Sequence, residues 1–183
     1  MNSIIIINGP TGVGKTTIIK SVVKQLPQLR TGITYTTREI RPKDKEDKDM
    51  RHITEQGFKD KILNEELLEW AEFSGNYYGT AKKENLDILK NHPLLLNIEV
   101  VGTLKIKKLF PNALLIYILP ENIEQLYSRL EKRSFSDKQR KERIEAAKWS
   151  IKQAKRYDYQ IINYEGEINK TVKKIVKIIK KKL

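Results

Sequence analysis

The sequence predicts an α/β fold in which a mostly parallel sheet is flanked by helices. The first observation is a β-branched run, Ile4-Ile5-Ile6-Ile7, that leads into a glycine-rich loop and then into a helical pattern. The second is that three further apolar runs alternate with helical patterns, which is the order of βαβ units. Continuous apolar runs of this kind are typical of strands buried on both faces of a parallel sheet.

The elements can be assigned in chain order. The first helix is predicted from Lys15 to about Leu26, where Pro27 ends the apolar periodicity. The later strands are predicted at 94–98, 114–119 and 159–162. The later helices are predicted at 103–109, 121–131, 137–156 and 167–180, and the last has one apolar face that we expect to pack on the sheet.

Two segments interrupt this alternation. Residues 31–80 are rich in charge, threonine and aromatic side chains, with one clear helix predicted from Phe58 to Trp70. Residues 128–143 are dense in arginine and lysine. We interpret both as inserts on the core, because inserts above the strand ends of such sheets often enclose ligands.

Composition restricts the functional classes. The chain has 183 residues, 39% of them hydrophobic, which suits one compact domain. No apolar run approaches the ~20 residues of a membrane span, no secretory leader is evident, and there is no cysteine. A cytoplasmic protein without a membrane partner is therefore expected. The net charge of +13 comes from scattered lysines, so we expect no nucleic-acid partner.

A phosphate-binding loop follows the first strand. The stretch Gly9-Pro10-Thr11-Gly12-Val13-Gly14-Lys15-Thr16 fits the GxxxxGK[ST] pattern of P-loop proteins. Glycines let backbone N–H groups surround a phosphate, and the helix that begins near Lys15 adds its positive end. Lys15 is expected at the β- and γ-phosphates, and the Thr16 hydroxyl on Mg²⁺. The loop predicts a bound nucleoside triphosphate but leaves the reaction open among ATPases, GTPases, helicases and small-molecule kinases.

Beyond the loop, residues 4–164 resemble the guanylate kinase family. The resemblance rests on six stretches in order: the loop extended to Thr17, Thr36-Thr37-Arg38 with Arg41, 69–80 (EWAEFSGNYYGT), 129–133 (RLEKR), Arg143, and 157–163 (YDYQIIN). It implies transfer of a phosphoryl group from ATP to GMP, giving ADP and GDP. It also implies a P-loop NTPase-type core at 1–32, 81–125 and 144–183 in one domain, with a GMP-binding insert at 33–80 and a short helical lid at 126–143.

The resemblance also implies roles for side chains in the insert. Arg38 and Arg41 would hold the GMP phosphate, because guanidinium groups match phosphate oxygens, and Tyr78 would donate to the same phosphate. Glu69 suits guanine, since a carboxylate can accept from both N1–H and the 2-amino group. The remaining residues expected at the base are Thr34, Thr80 and Glu99.

On the donor side, the resemblance adds lid arginines and an adenine contact. Arg129, Arg133 and Arg143 would gather on the transferred γ-phosphoryl group, where positioning and charge neutralisation matter more than a side-chain base. Together with Lys15 and Arg38 they form the predicted catalytic set. The predicted ATP contacts are Gly9, Pro10, Thr11, Gly12, Val13, Gly14, Lys15, Thr16, Thr17 and, near adenine, Asn163.

The sequence departs from the family pattern at two positions. Met50 stands where a tyrosine is expected at the GMP phosphate, and a thioether cannot donate a hydrogen bond. Arg51 or His52 could supply that contact instead. Asn97 and Glu99 stand where the family has Asp-x-Asp, so Asn97 brings no carboxylate to the Mg²⁺ shell.

Two alternatives remain open. One is a related P-loop kinase with another acceptor, such as ribose 1,5-bisphosphate; Glu69, Thr34 and Thr80 argue against it, because a sugar phosphate has no guanine edge. The other is a non-catalytic guanylate-kinase-like module that binds proteins, against which the intact Lys15 and Thr16 argue. The sequence leaves the oligomeric state open between a monomer and a homodimer.

Overall fold

The computed structural model describes residues 3–40, 49–131 and 136–183, with the side chains of all but Gln125, Arg129, Leu130, Glu131 and Gln139. Its elements confirm the predicted α/β class with a mostly parallel sheet and flanking helices. The chain divides into two compact units, Met1–Ile4 with Gln28–Ala113 and Ile5–Pro27 with Leu114–Leu183. The predicted division into core, insert and lid stays a prediction.

The described residues form strands and helices with the following bounds. The strands are β1 Ile4–Asn8, β2 Arg30–Thr31, β3 Thr34–Thr36, β4 Met50–His52, β5 Leu67–Phe73, β6 Asn76–Ala81, β7 Leu94–Leu96, β8 Leu114–Pro120 and β9 Tyr159–Asn163. The helices are α1 Lys15–Gln25, α2 Glu55–Leu63, α3 Lys82–Asn91, α4 Val100–Leu109, α5 Ile123–Glu131, α6 Asp137–Lys152 and α7 Ile168–Lys182, and a short 3₁₀ helix covers Gln153–Arg156. None of these helices is long and apolar enough to cross a membrane.

The parallel strands are the neighbours β2 and β7 in the first unit and the strands β1, β8 and β9, in that order, in the second. In the second unit, β8 pairs in parallel with both β1 and β9, and the four isoleucines of β1 are at most 3% exposed. The apolar face of α7 is buried through Val172, Ile175 and Ile179. This confirms the prediction that the last helix turns an apolar face to the core and its lysines outward.

The first unit contains a second sheet of four strands in the order β4-β3-β6-β5. The strand β6 pairs antiparallel with β3 and β5, whereas β3 and β4 are parallel. One face of this sheet packs on α2 through a small core in which Tyr35, Phe58 and Ala81 are buried. The Phe58 and Tyr77 rings stack with their centroids 5.4 Å apart.

The predicted helix from Phe58 to Trp70 is wrong in its second half. The helix α2 begins earlier, at Glu55, where the Thr54 hydroxyl accepts from the Gly57 N–H at 3.1 Å, and it ends at Leu63. Glu65 then takes a left-handed conformation with φ 53°, which ends the helix, and the chain continues as β5. The apolar residues of α2 and β5, taken together, have the spacing of a single helix, although they belong to two elements.

The remaining predictions hold with shifted ends. The strand predicted at 94–98 ends at Leu96, and the helix predicted at 103–109 begins at Val100. The segment predicted as one helix at 137–156 is α6 followed by the 3₁₀ turn. The helix α3 and the short strands of the four-stranded sheet were not predicted, because they bring few apolar residues at a regular spacing.

Candidate active site

The phosphate loop, residues 9–16, joins β1 to α1. Gly9 lies so close to β8 that a Cβ at this position would stand 2.5 Å from the Ile118 carbonyl oxygen. Gly14 has a φ of 96° and precedes α1 as its N-cap residue. It brings no capping side chain, and the first turn of α1 contains no acidic residue, so the positive end of the helix is open to an anionic ligand.

The N-terminal turn of α1 begins with Lys15, Thr16 and Thr17, whose side chains are all hydrogen-bond donors. The Lys15 ammonium donates to the carbonyl oxygens of Gly9 and, at 3.0 Å, of Pro10. Thr16 and Thr17 are exposed in the first turn of α1. The loop therefore combines a lysine, a helix N-terminus without a capping side chain and an exposed hydroxyl, which are groups that suit a polyphosphate.

Asn163, at the end of β9, fixes the loop from the side. Its Nδ2 donates to the Val13 carbonyl at 3.0 Å, and its Oδ1 accepts from the Thr171 hydroxyl at 2.8 Å. A small pocket beside it is lined by Val13, Pro120, Glu121, Asn122, Leu126 and Glu165. Asn163 thus holds the loop backbone, and its predicted contact with the adenine stays a prediction.

A second polar contact at the start of the loop was missed by the sequence reasoning. Asn8 is 1% exposed; its Oδ1 accepts from the Gly9 N–H, and its Nδ2 donates to the Tyr157 hydroxyl at 2.9 Å. The Tyr157 ring packs edge-on against Tyr117 at 4.9 Å between centroids. The only signal in the sequence was an asparagine at the end of an apolar strand.

The predicted base-reading residues form one row across the four-stranded sheet. Thr80 of β6 pairs with Thr34 of β3 on one side and with Glu69 of β5 on the other. Met50 of β4 pairs with Thr34 and extends the row. Side chains of directly paired residues project from the same face of a sheet. The strand register therefore brings together three residues, Thr34, Glu69 and Thr80, that are far apart in the sequence.

A β-bulge places Glu69 in that row. The pairing of β5 with β6 shifts between Leu67 and Glu69, so that Leu67 opposes Ala81 while Glu69 opposes Thr80. Without the shift, Leu67 and Glu69 would project from the same face of the sheet, because residues two apart in a regular strand share a face. Leu67 instead packs into the small core against α2, and Glu69 projects from the opposite face.

The Glu69 carboxylate is buried and hydrogen bonded. Glu69 is only 7% exposed, and its Oε1 accepts from the Thr80 hydroxyl at 2.6 Å. Burial raises the pKa of this carboxyl, while the hydrogen bond from Thr80 and the positive charge of Lys105 act in the other direction. Loss of hydration leaves the carboxylate with a strong demand for donors.

The predicted phosphate ligand Arg38 follows β3. Its guanidinium donates to the Glu39 carbonyl at 2.9 Å and contacts the Met50 sulfur at 3.6 Å. The backbone carbonyl oxygen of Arg38 lies 2.6 Å from Nδ1 of His52. His52 is two residues after Met50 in β4, so both side chains are on the same face of the strand. Met50 and His52 therefore both touch Arg38.

Arg51, in contrast, is engaged elsewhere. Its guanidinium donates to the Tyr35 hydroxyl at 3.0 Å and to Glu84 Oε1 at 2.9 Å. The Tyr35 hydrogen bond is the main reason why the pKa of Arg51 is raised. Residues alternate between the two faces of a strand, so Arg51 lies on the face of β4 opposite to Met50 and His52. Of the two residues expected to replace the contact that Met50 cannot make, only His52 is therefore on the face of Met50 and beside Arg38.

The other predicted residues are placed as follows. Tyr78 is half-buried in β6 and pairs with Thr36. Asn97 is exposed after β7, and Glu99 is half-buried at the N-terminus of α4. Arg143 is half-buried in α6. Arg41, Arg133 and the side chain of Arg129 lie outside the described residues.

Comparison with known proteins gives one consistent result. The family model described as guanylate kinase matches residues 1–182. A guanylate kinase of Prochlorococcus marinus subsp. pastoris is 38% identical over 182 residues, covering 98% of this chain and 98% of that protein. One of Clostridium acetobutylicum is 38% identical over 178 residues, covering 96% of this chain and 84% of that protein.

Solved structures agree with the sequence comparisons. The crystal structure of guanylate kinase from Anaplasma phagocytophilum has a TM-score of 0.77 at 27% identity, covering 98% of this chain and 85% of that chain. The match therefore runs along almost the full length in both sequence and backbone. The chain belongs to the guanylate kinase family.

Proposed function

We propose that this protein is an ATP:GMP phosphotransferase that converts ATP and GMP, or dGMP, into ADP and GDP. Membership of the family supports this activity. The observation that carries it for this chain is the buried Glu69 carboxylate, in one row with the hydroxyls of Thr80 and Thr34. These are the groups that a guanine edge requires.

The base is distinguished by the direction of its hydrogen bonds. Guanine offers two neighbouring donors, N1–H and the 2-amino group, to the Glu69 carboxylate, whereas adenine offers no such pair. The threonine hydroxyls, which can donate or accept, complete the row, and O6 is one expected partner. A buried polar group left unpaired costs roughly 1–3 kcal/mol, so a wrong base is strongly disfavoured.

The acceptor phosphate is held by Arg38, Arg41 and Tyr78 in this proposal. Arg38 follows the same strand that carries Thr34, and Tyr78 lies two residues before Thr80. A nucleotide whose base meets the row would therefore have donors near its phosphate within the same sheet. Met50 contributes no donor, which lowers the expected GMP affinity relative to family members with a tyrosine there.

The donor triphosphate is held by the loop at 9–16, with Lys15 on the β- and γ-phosphates. Thr16 fits a Mg²⁺ ion, because its hydroxyl is exposed beside Lys15 and this metal takes few protein ligands when it binds through phosphates. When bound, Mg²⁺ neutralises charge on the phosphate oxygens. The lid arginines Arg129, Arg133 and Arg143 complete the charge stabilisation, and direct in-line transfer needs no covalent enzyme intermediate.

A coupled assay of ADP formation tests the proposal. The purified chain is incubated with ATP and Mg²⁺ against GMP, dGMP, AMP, UMP and ribose 1,5-bisphosphate. We expect turnover with GMP and dGMP and at least about 100-fold lower kcat/KM with AMP and UMP. Absence of GMP-dependent ADP formation would refute the proposed function, and turnover with ribose 1,5-bisphosphate alone would establish the alternative acceptor. The cytoplasmic location and the choice between monomer and homodimer stay predictions.

A further inference from the structure

Gly102, the third residue of α4, faces the Glu69 carboxylate. A Cβ at Gly102 would lie 2.6 Å from Glu69 Oε2, 2.8 Å from Cδ and 2.9 Å from Oε1. All three of the nearest atoms belong to this one carboxylate, and both residues are buried. Real Cβ atoms do not approach other atoms this closely, so a side chain at position 102 and the observed carboxylate position exclude each other.

The helix itself does not require glycine at this position. Gly102 lies inside α4, and it is not among the residues with positive φ. Glycine is among the poorest helix formers, whereas alanine is the best, so local stability favours alanine here. The reason for glycine is therefore the space that it leaves for Glu69.

Other contacts hold the carboxylate from the remaining sides. Thr80 donates to Oε1 at 2.6 Å, and the bulge before Glu69 sets the direction of its side chain. Lys105, one turn after Gly102 on α4, donates to the Trp70 carbonyl next to Glu69 and lies 5.3 Å from the centre of the Trp70 ring. The helix α4 thus approaches β5 closely at Gly102 and is attached to the same strand one turn later.

We propose that Gly102 is a specificity-determining positioning residue, whose missing side chain lets the Glu69 carboxylate lie where it accepts from both N1–H and the 2-amino group of guanine. The inference rests on the proposed function, because it assigns Gly102 to the base-reading role of Glu69. The carboxylate is the end of a flexible side chain, so an added methyl group displaces the carboxylate and leaves the fold intact.

The variant Gly102→Ala tests this with GMP and IMP, a purine nucleotide that keeps N1–H but lacks the 2-amino group. We expect kcat/KM for GMP to fall about 10- to 100-fold, chiefly through KM, and the preference for GMP over IMP to narrow. KM for ATP should stay within about twofold, and the midpoint of thermal unfolding should stay equal or rise, since alanine favours the helix. A merely structural effect of the methyl group would not change the GMP/IMP ratio.

A matched control is Gly57→Ala in α2. A Cβ at Gly57 would meet only the Thr54 hydroxyl, at 3.2 Å, within the distance to which a surface side chain adjusts. This variant makes the same chemical change inside a helix and away from the predicted site. We expect it to keep both the GMP activity and the GMP/IMP ratio of the unmodified protein.

The double variant Glu69→Ala/Gly102→Ala keeps the test decisive even if Gly102→Ala is unstable. If the methyl group acts on the carboxylate, it should change neither the GMP/IMP ratio nor the stability once the carboxylate is gone, apart from the gain in helix propensity. A single variant that keeps the GMP/IMP ratio, or equal destabilisation in both backgrounds, would overturn the inference. Failure of the unmodified protein to use GMP would instead refute the proposed function.

Discussion

The phosphate loop and the four-stranded sheet encode their parts of the proposed site in opposite ways. The loop is a continuous stretch of eight residues, 9–16, in which the phosphate ligands are predicted to be backbone N–H groups and the neighbouring side chains. The row Thr34–Thr80–Glu69 instead combines three strands and depends on strand register and one bulge. The first site is local in sequence, whereas the second exists only when the sheet has formed.

Because of this difference, the two regions should respond differently to substitutions elsewhere in the chain. In the loop, Gly9 and Gly14 are required by a close approach to β8 and by a left-handed φ, and each requirement can be recognised in the motif itself. In the sheet, Thr34 or Glu69 alone is an unremarkable residue. A change at a residue that is distant in sequence but packed against the row, such as Gly102, can therefore alter the acceptor side while the donor side is unaffected.

The largest effect is expected at the loop, for Lys15→Ala. The ammonium is the local positive charge predicted at the β- and γ-phosphates, so we expect kcat to fall about 1,000-fold or more. The fold should survive, since the Lys15 ammonium donates to carbonyl oxygens of the loop itself. Steady-state kinetics and circular dichroism check this, with Lys20→Ala on the same helix as the control. Residual activity above about one tenth would contradict the assigned role.

The next largest effect is expected at Glu69→Gln. The amide places a donor where guanine also presents donors, so kcat/KM for GMP should fall about 100-fold or more, while KM for ATP stays the same. The exposed Glu72, on the same strand, provides the control Glu72→Gln. Equal losses in both variants would show that the strand, and not the base contact, was disturbed.

The same substitution should stabilise the unliganded fold at neutral pH. Burial raises the pKa of Glu69 in the folded state, so folding favours the protonated form. Its contribution to stability is fully present below the unfolded-state pKa and is lost as the pH rises through the folded-state pKa. Urea unfolding at pH 7 should therefore give Glu69→Gln the higher free energy of unfolding, and the difference should narrow in acid. Lower stability of the variant at pH 7 would show that the buried charge costs nothing.

The contrast between the regions also explains what could be predicted from the sequence. The fold class, the strand–loop–helix order around residues 9–16 and the buried strands β1, β7 and β8 followed from contiguous patterns, and the structure confirms them. The helix predicted from Phe58 to Trp70 was wrong beyond Leu63. The left-handed conformation of Glu65 and the bulge after Leu67 cause the difference, and neither of them can be recognised from the spacing of apolar residues. The contact of Gly102 with Glu69 joins residues 33 positions apart in sequence and could be found only in the packed structure.

A gain of function is expected for Met50→Tyr. Met50 lies beside Arg38, with its sulfur 3.6 Å from the guanidinium, and the family places a phosphate-binding tyrosine there. A hydroxyl donor to a charged phosphate should lower KM for GMP about 5- to 10-fold. Met50→Phe supplies the ring without the hydroxyl and serves as the control. Equal KM values for the two variants would show that this protein has replaced the contact by another residue, with His52 the nearest candidate.

The smallest effect is expected for Lys105→Met, and it concerns pH. The positive charge of Lys105 lowers the pKa of the Glu69 carboxyl and so opposes the effect of burial. Without it, Glu69 takes up a proton at a higher pH, and a protonated carboxyl no longer accepts from both guanine donors. In the pH profile of kcat/KM for GMP, the fall on the acid side should therefore move to higher pH. Near pH 8, kcat/KM itself should change by less than about threefold. Lys108→Met, on the exposed side of α4, should leave the fall on the acid side in place, and Glu69→Gln should abolish it. If this fall did not move, Lys105 would serve only to attach α4 to the Trp70 carbonyl, and the charge state of Glu69 would depend on burial and Thr80 alone.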